Sequence, residues 1–199
     1  MTGRFIAVEG ADGSGKSTQA RLLAERLGAV FTREPGGTPL GERIRALVLD
    51  PSGDPPVDRA EALLMAAARA QHVAEVVAPA LAAGRDVVSD RYVASSVAYQ
   101  GYGRGLGADA VVAVNRFATD GLQPDLVVLI TIDARVAVRR LGEDLDRIEQ
   151  AGDAFQAAVV AAYSEMAAED PARWLVVDGS GTIEEVAARV AAAVEGRLR

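Results

Sequence analysis

Short apolar runs recur along the chain, separated by longer stretches in which apolar residues follow helical spacing. The runs are rich in Val, Ile and Leu and do not alternate with polar residues. This pattern is typical of strands buried on both faces of a parallel sheet. The runs predict five strands, over residues 5–8, 30–32, 86–89, 126–132 and 174–178.

The stretches between the runs predict helices over residues 16–27, 38–48, 58–82, 108–118, 133–141, 153–168 and 182–197. Thr182 and Glu185 form a capping box at the start of the last helix, whereas residues 51–56 and 101–105 are predicted to be loops. Alternating strands and helices predict an α/β fold: a doubly wound, five-stranded parallel sheet flanked by helices, with ligands at the carboxyl ends of the strands. The whole chain, 1–199, is predicted to be one domain.

Composition narrows the class of protein. Half of the 199 residues are apolar, but no run approaches the roughly 18 residues of a membrane span, and the early first strand leaves no room for a signal peptide. The absence of cysteine excludes thiolate chemistry and favours a cytoplasmic protein. A net charge of −7 argues against nucleic acid as a partner. The single histidine, His72, is expected to be a packing or surface residue.

The single lysine, Lys16, lies in a glycine-rich motif between the first strand and the first helix. Arginine occupies every other basic position, so lysine is kept where a compact ammonium suits phosphate chemistry. The pattern Gly-x-x-x-x-Gly-Lys-Ser is the phosphate-loop (P-loop) motif, whose backbone N–H groups surround phosphates and whose serine holds Mg²⁺. Since this loop opens a helix, it forms an anion site. We therefore predict that a nucleoside triphosphate binds Gly10, Ala11, Asp12, Gly13, Ser14, Gly15, Lys16 and Ser17.

A second motif, Asp90-Arg91, follows the third predicted strand. At the ligand edge of the sheet, Asp90 would hold Mg²⁺ through water and Arg91 would bind a phosphate with two hydrogen bonds. The alternative is a surface Asp-Arg turn. The site reading is favoured because the pair follows a buried strand and a P-loop enzyme needs a magnesium carboxylate.

Two further segments are candidates for the rest of the site. Residues 32–38 place Glu34 before a proline and two glycines, which fix the backbone and permit a close approach. Residues 92–101 carry Ser96 and Gln100 four positions apart, so that a hydroxyl and an amide could read the edge of a base. On spacing alone, the second segment is equally compatible with a solvated helix face.

These motifs, with Asp-Arg-Ile-Glu-Gln at 146–150, resemble those of bacterial thymidylate kinases over nearly the whole chain and in the same order. The P-loop indicates only a nucleotide-binding superfamily, but Arg-Glu-Pro-Gly-Gly at 33–37 and Ala-Tyr-Gln-Gly at 98–101 are specific. The resemblance implies a P-loop nucleoside monophosphate kinase that phosphorylates dTMP to dTDP for dTTP synthesis, with ATP as donor and Mg²⁺ as cofactor. It also implies a homodimer.

The resemblance further assigns roles to individual residues. Asp12, Lys16, Arg91 and Arg147 would be catalytic, and Ser17 and Asp90 would serve the metal. Arg45 and Arg91 would hold the dTMP phosphate, oriented by Glu34. Tyr99 would pack near the sugar's 2′ carbon, where a ribose hydroxyl would be crowded. The full dTMP site would comprise Glu34, Arg45, Met65, Arg69, Arg91, Ser96, Tyr99 and Gln100.

The chain departs from the family pattern at two places. Met65 stands where the family usually has a phenylalanine stacked on thymine, and a thioether lacks aromatic geometry. In the lid, a segment at about 139–150, acidic residues replace arginine. Gly13 occupies the P-loop position where some members carry an arginine, so the cation is expected from Arg147 or Arg140. Arg147 is favoured because its segment keeps the family pattern; its alternative role is a salt bridge to Glu143 or Asp144.

Other functions remain to be weighed. A kinase for another nucleoside monophosphate would share most of these motifs, and tolerance for dUMP is open. A GTPase switch would need an Asn-Lys-x-Asp motif, which this chain lacks because its only lysine is in the P-loop. The apolar stripe Val111, Val114 and Ala118 is equally compatible with a dimer interface and with the core.

Overall fold

The sheet confirms the predicted architecture. The computed structural model describes residues 2–142 and 145–198. Its five strands are all parallel and lie in the order β2-β3-β1-β4-β5. They are β1 (Phe5–Glu9), β2 (Val30–Arg33), β3 (Val87–Asp90), β4 (Leu126–Thr131) and β5 (Trp174–Asp178).

The seven predicted helices lie within one residue of their predicted bounds, whereas the helix over residues 93–103 was not among the predicted helices. The helices are α1 (Lys16–Leu27), α2 (Pro39–Leu49), α3 (Asp58–His72, continued by a π-helical turn Val73–Val77 and by Ala78–Ala82), α4 (Val93–Ser96, continued by a π-helical segment Val97–Gly103), α5 (Ala108–Ala118), α6 (Ala134–Leu141), α7 (Asp153–Glu169) and α8 (Ile183–Leu198). A short 3₁₀ turn, Glu149–Ala151, precedes α7. None of the described helices is long and apolar enough to cross a membrane.

Side-chain caps fix the starts of two of the predicted helices, α2 and α8. Thr38 accepts a hydrogen bond from the backbone N–H of Gly41 at the start of α2. The predicted capping box is present before α8, since Thr182 N–H donates to Glu185 Oε2 and Glu185 N–H donates to Thr182 Oγ1. These local signals were readable from the sequence because both partners lie within one helical turn.

Helices cover both faces of the sheet. Ile6 and Val8 of β1 pack into a cluster with α1 and α8, whereas Phe5 and Ala7 point to the other face, towards the end of α3. This alternation buries all of β1, which explains its uninterrupted apolar run. The carboxyl ends of β1, β2 and β3 meet at one edge, where the candidate site lies.

The prediction of a loop at 101–105 was wrong for its first residues, because Gly101 and Gly103 belong to the π-helical end of α4. A Cβ at Gly101 would lie 3.3 Å from Ala108 Cα, and one at Gly103 would lie 2.5 Å from the ring of Phe155. These glycines therefore permit close packing against α5 and α7, and they do not form a turn.

The residues of the apolar stripe on α5, which could belong to the core or to a dimer interface, differ in burial. Val111 is buried in the core, whereas Val114 and Ala118 are only partly buried. The neighbouring Phe117 is 91 % exposed. The core therefore accounts for Val111, and the outer part of α5 presents apolar surface.

Candidate active site

A cavity of about 400 Å³ opens at the carboxyl edge of the sheet, beside the N-terminus of α1. It joins the end of the P-loop to side chains from α2, α3 and α4. Most of the predicted site residues line it: Asp12, Lys16, Ser17, Glu34, Arg45, Met65, Arg69, Asp90, Arg91, Ser96, Tyr99 and Gln100.

The P-loop has the backbone that its glycines predict. Gly13 (φ 76°) and Gly15 (φ 88°) adopt left-handed conformations, and Gly15 caps the N-terminus of α1. Lys16 is buried, and its Nζ donates to Asp12 Oδ1 at 3.2 Å and contacts the Ala11 carbonyl at 3.5 Å. The loop therefore holds a positive charge at a helix N-terminus, which is an anion-binding arrangement.

Asp12 is the point on which the charged groups of the cavity converge. It pairs with Lys16 and with Arg91 Nη2, and Tyr99 OH donates to its Oδ2 at 2.7 Å. Burial raises the pKa of Asp12, but the charges of Arg91 and Lys16 outweigh burial and hold the pKa well below its usual range. Asp12 is thus an ionised carboxylate between two cations.

Arg91 sits on the turn that ends β3, with a positive φ of 72°. Besides Asp12, its guanidinium donates to Ser95 Oγ at 2.9 Å and to Tyr163 OH at 3.3 Å. Such a conformation is uncommon for a residue other than glycine, and the surrounding hydrogen bonds keep it in place.

Glu9, a fully buried carboxylate that was not predicted from the sequence, hydrogen-bonds the same Ser95 and Tyr163 side chains that accept from Arg91. Its oxygens accept hydrogen bonds from Tyr92 N–H (2.8 Å), Ser95 Oγ–H (2.7 Å) and Tyr163 O–H (2.9 Å). Burial raises the pKa of Glu9 above its ordinary value. The available signal was an acidic residue that ends an otherwise apolar strand.

Arg69, one of the residues predicted to contact the base, lines the cavity from α3. Its guanidinium is buried, and it donates to Glu34 Oε2 at 2.6 Å, to Ser96 Oγ at 2.9 Å and to the Tyr92 carbonyl at 3.1 Å. It also bonds Asn115 Oδ1, a partner from α5 that the sequence analysis missed. Met65, one helical turn before Arg69, and Gln100 line the same region of the cavity.

Glu34 has partners different from those expected. It was predicted to orient Arg45 and Arg91, but its carboxylate bonds Arg69 and His72 Nδ1 (2.8 Å). His72 in turn contacts Thr32 Oγ1 at 2.5 Å, so the chain's single histidine is a buried packing residue, as expected. The correction has a simple cause: Glu34 is buried against α3, whereas Arg45 on α2 donates to the Pro35 carbonyl at 3.2 Å.

Asp90 and Ser17 bring oxygen atoms to the cavity, where the sequence predicted a magnesium site. Asp90 is the last residue of β3, and its Oδ1 is buried without a hydrogen-bond partner among the described residues. An unpartnered buried carboxylate oxygen is costly unless a ligand satisfies it. Ser17 lines the same cavity at the first turn of α1. Oxygen ligands of this kind, completed by phosphate and water, suit Mg²⁺.

The two lid arginines lie in different places. Arg147 Nη2 donates to Glu61 Oε2 at 2.5 Å and its Nε donates to the Val48 carbonyl at 2.7 Å. Arg147 does not line the cavity. Arg140, at the end of α6, lies beside the P-loop: its Nη1 is 3.7 Å from where a Cβ on Gly15 would be. The alternative partners of Arg147, Glu143 and Asp144, lie outside the described residues.

Helix α6 also explains the glycine at position 13. A Cβ there would lie 2.4 Å from the Ala137 carbonyl oxygen, which is far below a van der Waals contact. In this arrangement, the P-loop has no room for a side chain at Gly13, because the lid helix backbone already occupies that space.

Comparison with known proteins identifies the family. The thymidylate kinase family model matches residues 8–190. The chain is 51 % identical to the thymidylate kinase of Leifsonia xyli subsp. xyli, over 98 % of this chain and 96 % of that protein, and 48 % identical to that of Pelotomaculum thermopropionicum, over 90 % and 87 %. A crystal structure of thymidylate kinase from Ehrlichia chaffeensis superposes with a TM-score of 0.82 at 29 % identity, covering 98 % of this chain and 100 % of that chain. A family model that matches most of the chain, relatives about half identical over nearly its full length, and a solved structure with the same fold show that the chain belongs to the thymidylate kinase family.

Proposed function

We propose that the cavity is where this thymidylate kinase phosphorylates dTMP to dTDP with ATP as donor. The observation that supports this assignment is that one cavity joins the P-loop lysine to hydrogen-bonding groups on α3 and α4. Lys16 and the loop N–H groups bind the ATP phosphates. Arg45 and Arg91 hold the dTMP phosphate, while Arg69, Ser96 and Gln100 contact thymine and Met65 covers its face.

The reaction places few chemical demands on the protein. Phosphoryl transfer needs alignment and neutralisation of charge, and the dTMP phosphate is already largely dianionic at neutral pH. Arg91, fixed by Ser95 and Tyr163, directs the attacking phosphate towards the P-loop. Asp12 Oδ1 contacts both Lys16 and Arg91, so that the cations for the two phosphates stay close to one shared carboxylate oxygen.

Tyr99 restricts the sugar. Its hydroxyl donates to Asp12 Oδ2 at 2.7 Å and receives a hydrogen bond from Arg91 Nη2 at 3.2 Å, so the ring cannot turn away from the cavity. A ring held in this way leaves little space next to a 2′ carbon. We therefore assign the preference for a deoxyribose to Tyr99.

Mg²⁺ would be held by Ser17 and, through water, by Asp90. When bound, the ion neutralises charge on the ATP phosphates. The unpartnered Oδ1 of Asp90 supports this assignment, since the described residues leave that buried oxygen without a donor.

The geometry favours Arg140 over Arg147 as the lid cation. Arg140 lies beside the P-loop, and its guanidinium donates to the Gly179 carbonyl at a long distance of 3.5 Å. Arg147 is held by Glu61 and Val48 and would have to break both hydrogen bonds to reach the phosphates. We therefore propose Arg140 for the transition-state role that the sequence pattern assigned to Arg147.

The decisive assay compares initial rates of ATP-dependent transfer to dTMP, dUMP, CMP, AMP and GMP. A clear preference for dTMP over CMP, AMP and GMP supports the proposed base site, and equal rates would refute it. Arg69→Met tests the proposed contact with thymine directly, because it removes the hydrogen-bond donors of a buried guanidinium. The variant should raise KM for dTMP and leave KM for ATP unchanged.

We also propose that the protein is a homodimer through α3 and α5. These helices pack against each other and together expose three large apolar side chains: Leu63 at 58 %, Val112 at 46 % and Phe117 at 91 %. An almost fully exposed phenylalanine is typical of an interface. Sedimentation of Phe117→Lys beside the unchanged protein tests this proposal. A monomeric variant supports it, and an unchanged mass at the same concentration contradicts it.

A further inference from the structure

Glu61, in the first turn of α3, is a buried carboxylate without a role in the site so far described. It is fully buried, and three side chains from distant parts of the chain converge on it. Oε1 accepts from Gln100 Nε2 at 2.8 Å and from Arg104 Nε at 3.3 Å, and Oε2 accepts from Arg104 Nη2 at 3.1 Å and from Arg147 Nη2 at 2.5 Å.

Glu61 is ionised in this setting. Burial raises the pKa of Glu61, but hydrogen bonds from Gln100, Arg147 and Arg104 outweigh burial, and the pKa lies below its ordinary value. An ionised carboxylate only accepts hydrogen bonds. The group of Gln100 that faces Glu61 must therefore be its NH₂.

This constraint fixes the direction of the Gln100 amide. With Nε2 on Glu61, the carbonyl oxygen Oε1 points elsewhere, and no donor from the described part of the chain hydrogen-bonds it. Gln100 lines the nucleotide cavity. The cavity is therefore offered an acceptor at this position, which matches the N3–H of thymine and opposes the N3 lone pair of cytosine.

We infer that Glu61 is a positioning residue that sets base selectivity, by holding the Gln100 amide with its oxygen towards the base. This inference rests on the proposed role of Gln100 in contacting thymine. Glu61 does not touch the nucleotide. It acts through Gln100, and its two arginine partners keep its charge compensated inside the protein.

The test measures kcat/KM for dTMP and for dCMP in Glu61→Gln. The substituted side chain presents either an oxygen or an NH₂ to Gln100, so the Gln100 amide is free to turn over. The ratio of dTMP to dCMP should fall roughly tenfold or more, with KM for ATP unchanged. If Glu61 only supports the fold or the lid, both substrates lose activity equally and the ratio stays the same, which overturns the inference.

A matched control and a double-mutant cycle separate the explanations. Arg104→Met removes a partner of Glu61, together with the guanidinium that lies over the Phe155 ring, but leaves Gln100 and Arg147 on Glu61, so it should leave the ratio unchanged. In a Gln100→Ala background, Glu61→Gln should no longer alter the ratio, because the amide through which it acts is gone. If Gln100→Ala by itself leaves KM for dTMP unchanged, the proposed contact between Gln100 and thymine is refuted, and the inference about Glu61 is refuted with it.

A structure of the unchanged protein with dTMP provides a test that does not depend on the folding of a variant. The inference requires Gln100 Nε2 to stay on Glu61 while Oε1 lies within hydrogen-bonding distance of N3, about 3 Å. A base that contacts the amide nitrogen, with Glu61 released, would overturn it.

Discussion

Alanine substitutions at Arg140 and Arg147 should have opposite signatures. Arg147→Ala should lower stability and keep kcat within about tenfold, whereas Arg140→Ala should lower kcat by about 10³-fold or more and leave stability unchanged. The two residues belong to the same lid segment, so a general disturbance of the lid would affect both variants alike.

The stability difference follows from burial and hydrogen bonding. Arg147 donates at 2.5 Å to a carboxylate with 0 % exposure and at 2.7 Å to a backbone carbonyl. Hydrogen bonds to a charged group contribute about 1.5–3 kcal/mol each, and Glu61 keeps Arg104 and Gln100, so we expect a loss of about 2–3 kcal/mol for Arg147→Ala. In a chain of this length, the loss lowers Tm by roughly 5–10 °C. Arg140 is exposed and, within residues 2–142 and 145–198, donates only to the Gly179 carbonyl at 3.5 Å, which places its effect within about 0.5 kcal/mol.

The kinetic difference follows from position. An arginine that neutralises charge on the transferred phosphoryl group contributes about 10³-fold or more to kcat. Such a residue lowers kcat and kcat/KM together, because it acts mainly in the transition state. Arg140 lies beside the P-loop, so Arg140→Ala should show this loss, while Arg147→Ala should retain kcat within about tenfold.

The assay is steady-state transfer to dTMP together with thermal unfolding, with Arg139→Ala as the matched control. Arg139 is exposed, precedes Arg140 on α6, and does not line the cavity, so this variant should leave both quantities unchanged. A large kcat loss at Arg147 with normal stability would refute the reasoning and restore the assignment made from the sequence pattern. Mild kinetic effects at both arginines would exclude a catalytic lid cation at either position.

Three further results are expected. Lys16→Ala should abolish transfer without unfolding the protein, because Asp12 keeps Arg91 as a partner. Circular dichroism and turnover measured on the same sample check this. Turnover in a folded variant would contradict the assignment of the ATP site. Met65→Phe should tighten dTMP binding, measured by calorimetry, since a ring in the cavity wall stacks on a pyrimidine better than a thioether does; weaker binding would mean that the core has no space for the ring. The pKa of Asp12 is lowered by folding, so its carboxylate stabilises the protein above the unfolded value of 3.8, and this stabilisation is lost as the pH falls through the lowered value. Asp12→Asn should therefore lose stability at neutral pH, and its unfolding temperature should depend less steeply on pH in the acid range; an equally steep dependence would show that Asp12 is not ion-paired in solution.

The sequence predicted the elements whose signals are local. Each strand was visible as an apolar run, and the P-loop and the capping box are patterns in which the interacting groups lie close together in the chain. The places of Arg69, Tyr99 and Gln100 in the site came from the resemblance to a family. Spacing alone left the segment of Tyr99 and Gln100 open to another interpretation and gave no role to Arg69.

The sequence did not predict pairings between distant residues. Arg147 and Glu61 are 86 positions apart, and Glu9 and Tyr163 are 154 apart, so only the fold brings them together. A signal for Glu61 was nevertheless present, because Glu61, Met65, Arg69 and His72 follow one another at spacings of three or four and are all buried on one face of α3. A charged residue on a buried face needs a partner of opposite charge.

The contact between Gly13 and helix α6 has an evolutionary consequence. An arginine in the P-loop cannot be gained here by a single substitution, because its Cβ would collide with the Ala137 carbonyl and its backbone would have to keep a φ of 76°. The helix would have to move first, and that movement would displace Arg140 from the loop. On the proposed assignment of the cation to Arg140, the two ways of supplying it are separated by an intermediate that has neither. Positions 13 and 137, more than a hundred residues apart, therefore constrain each other's substitutions.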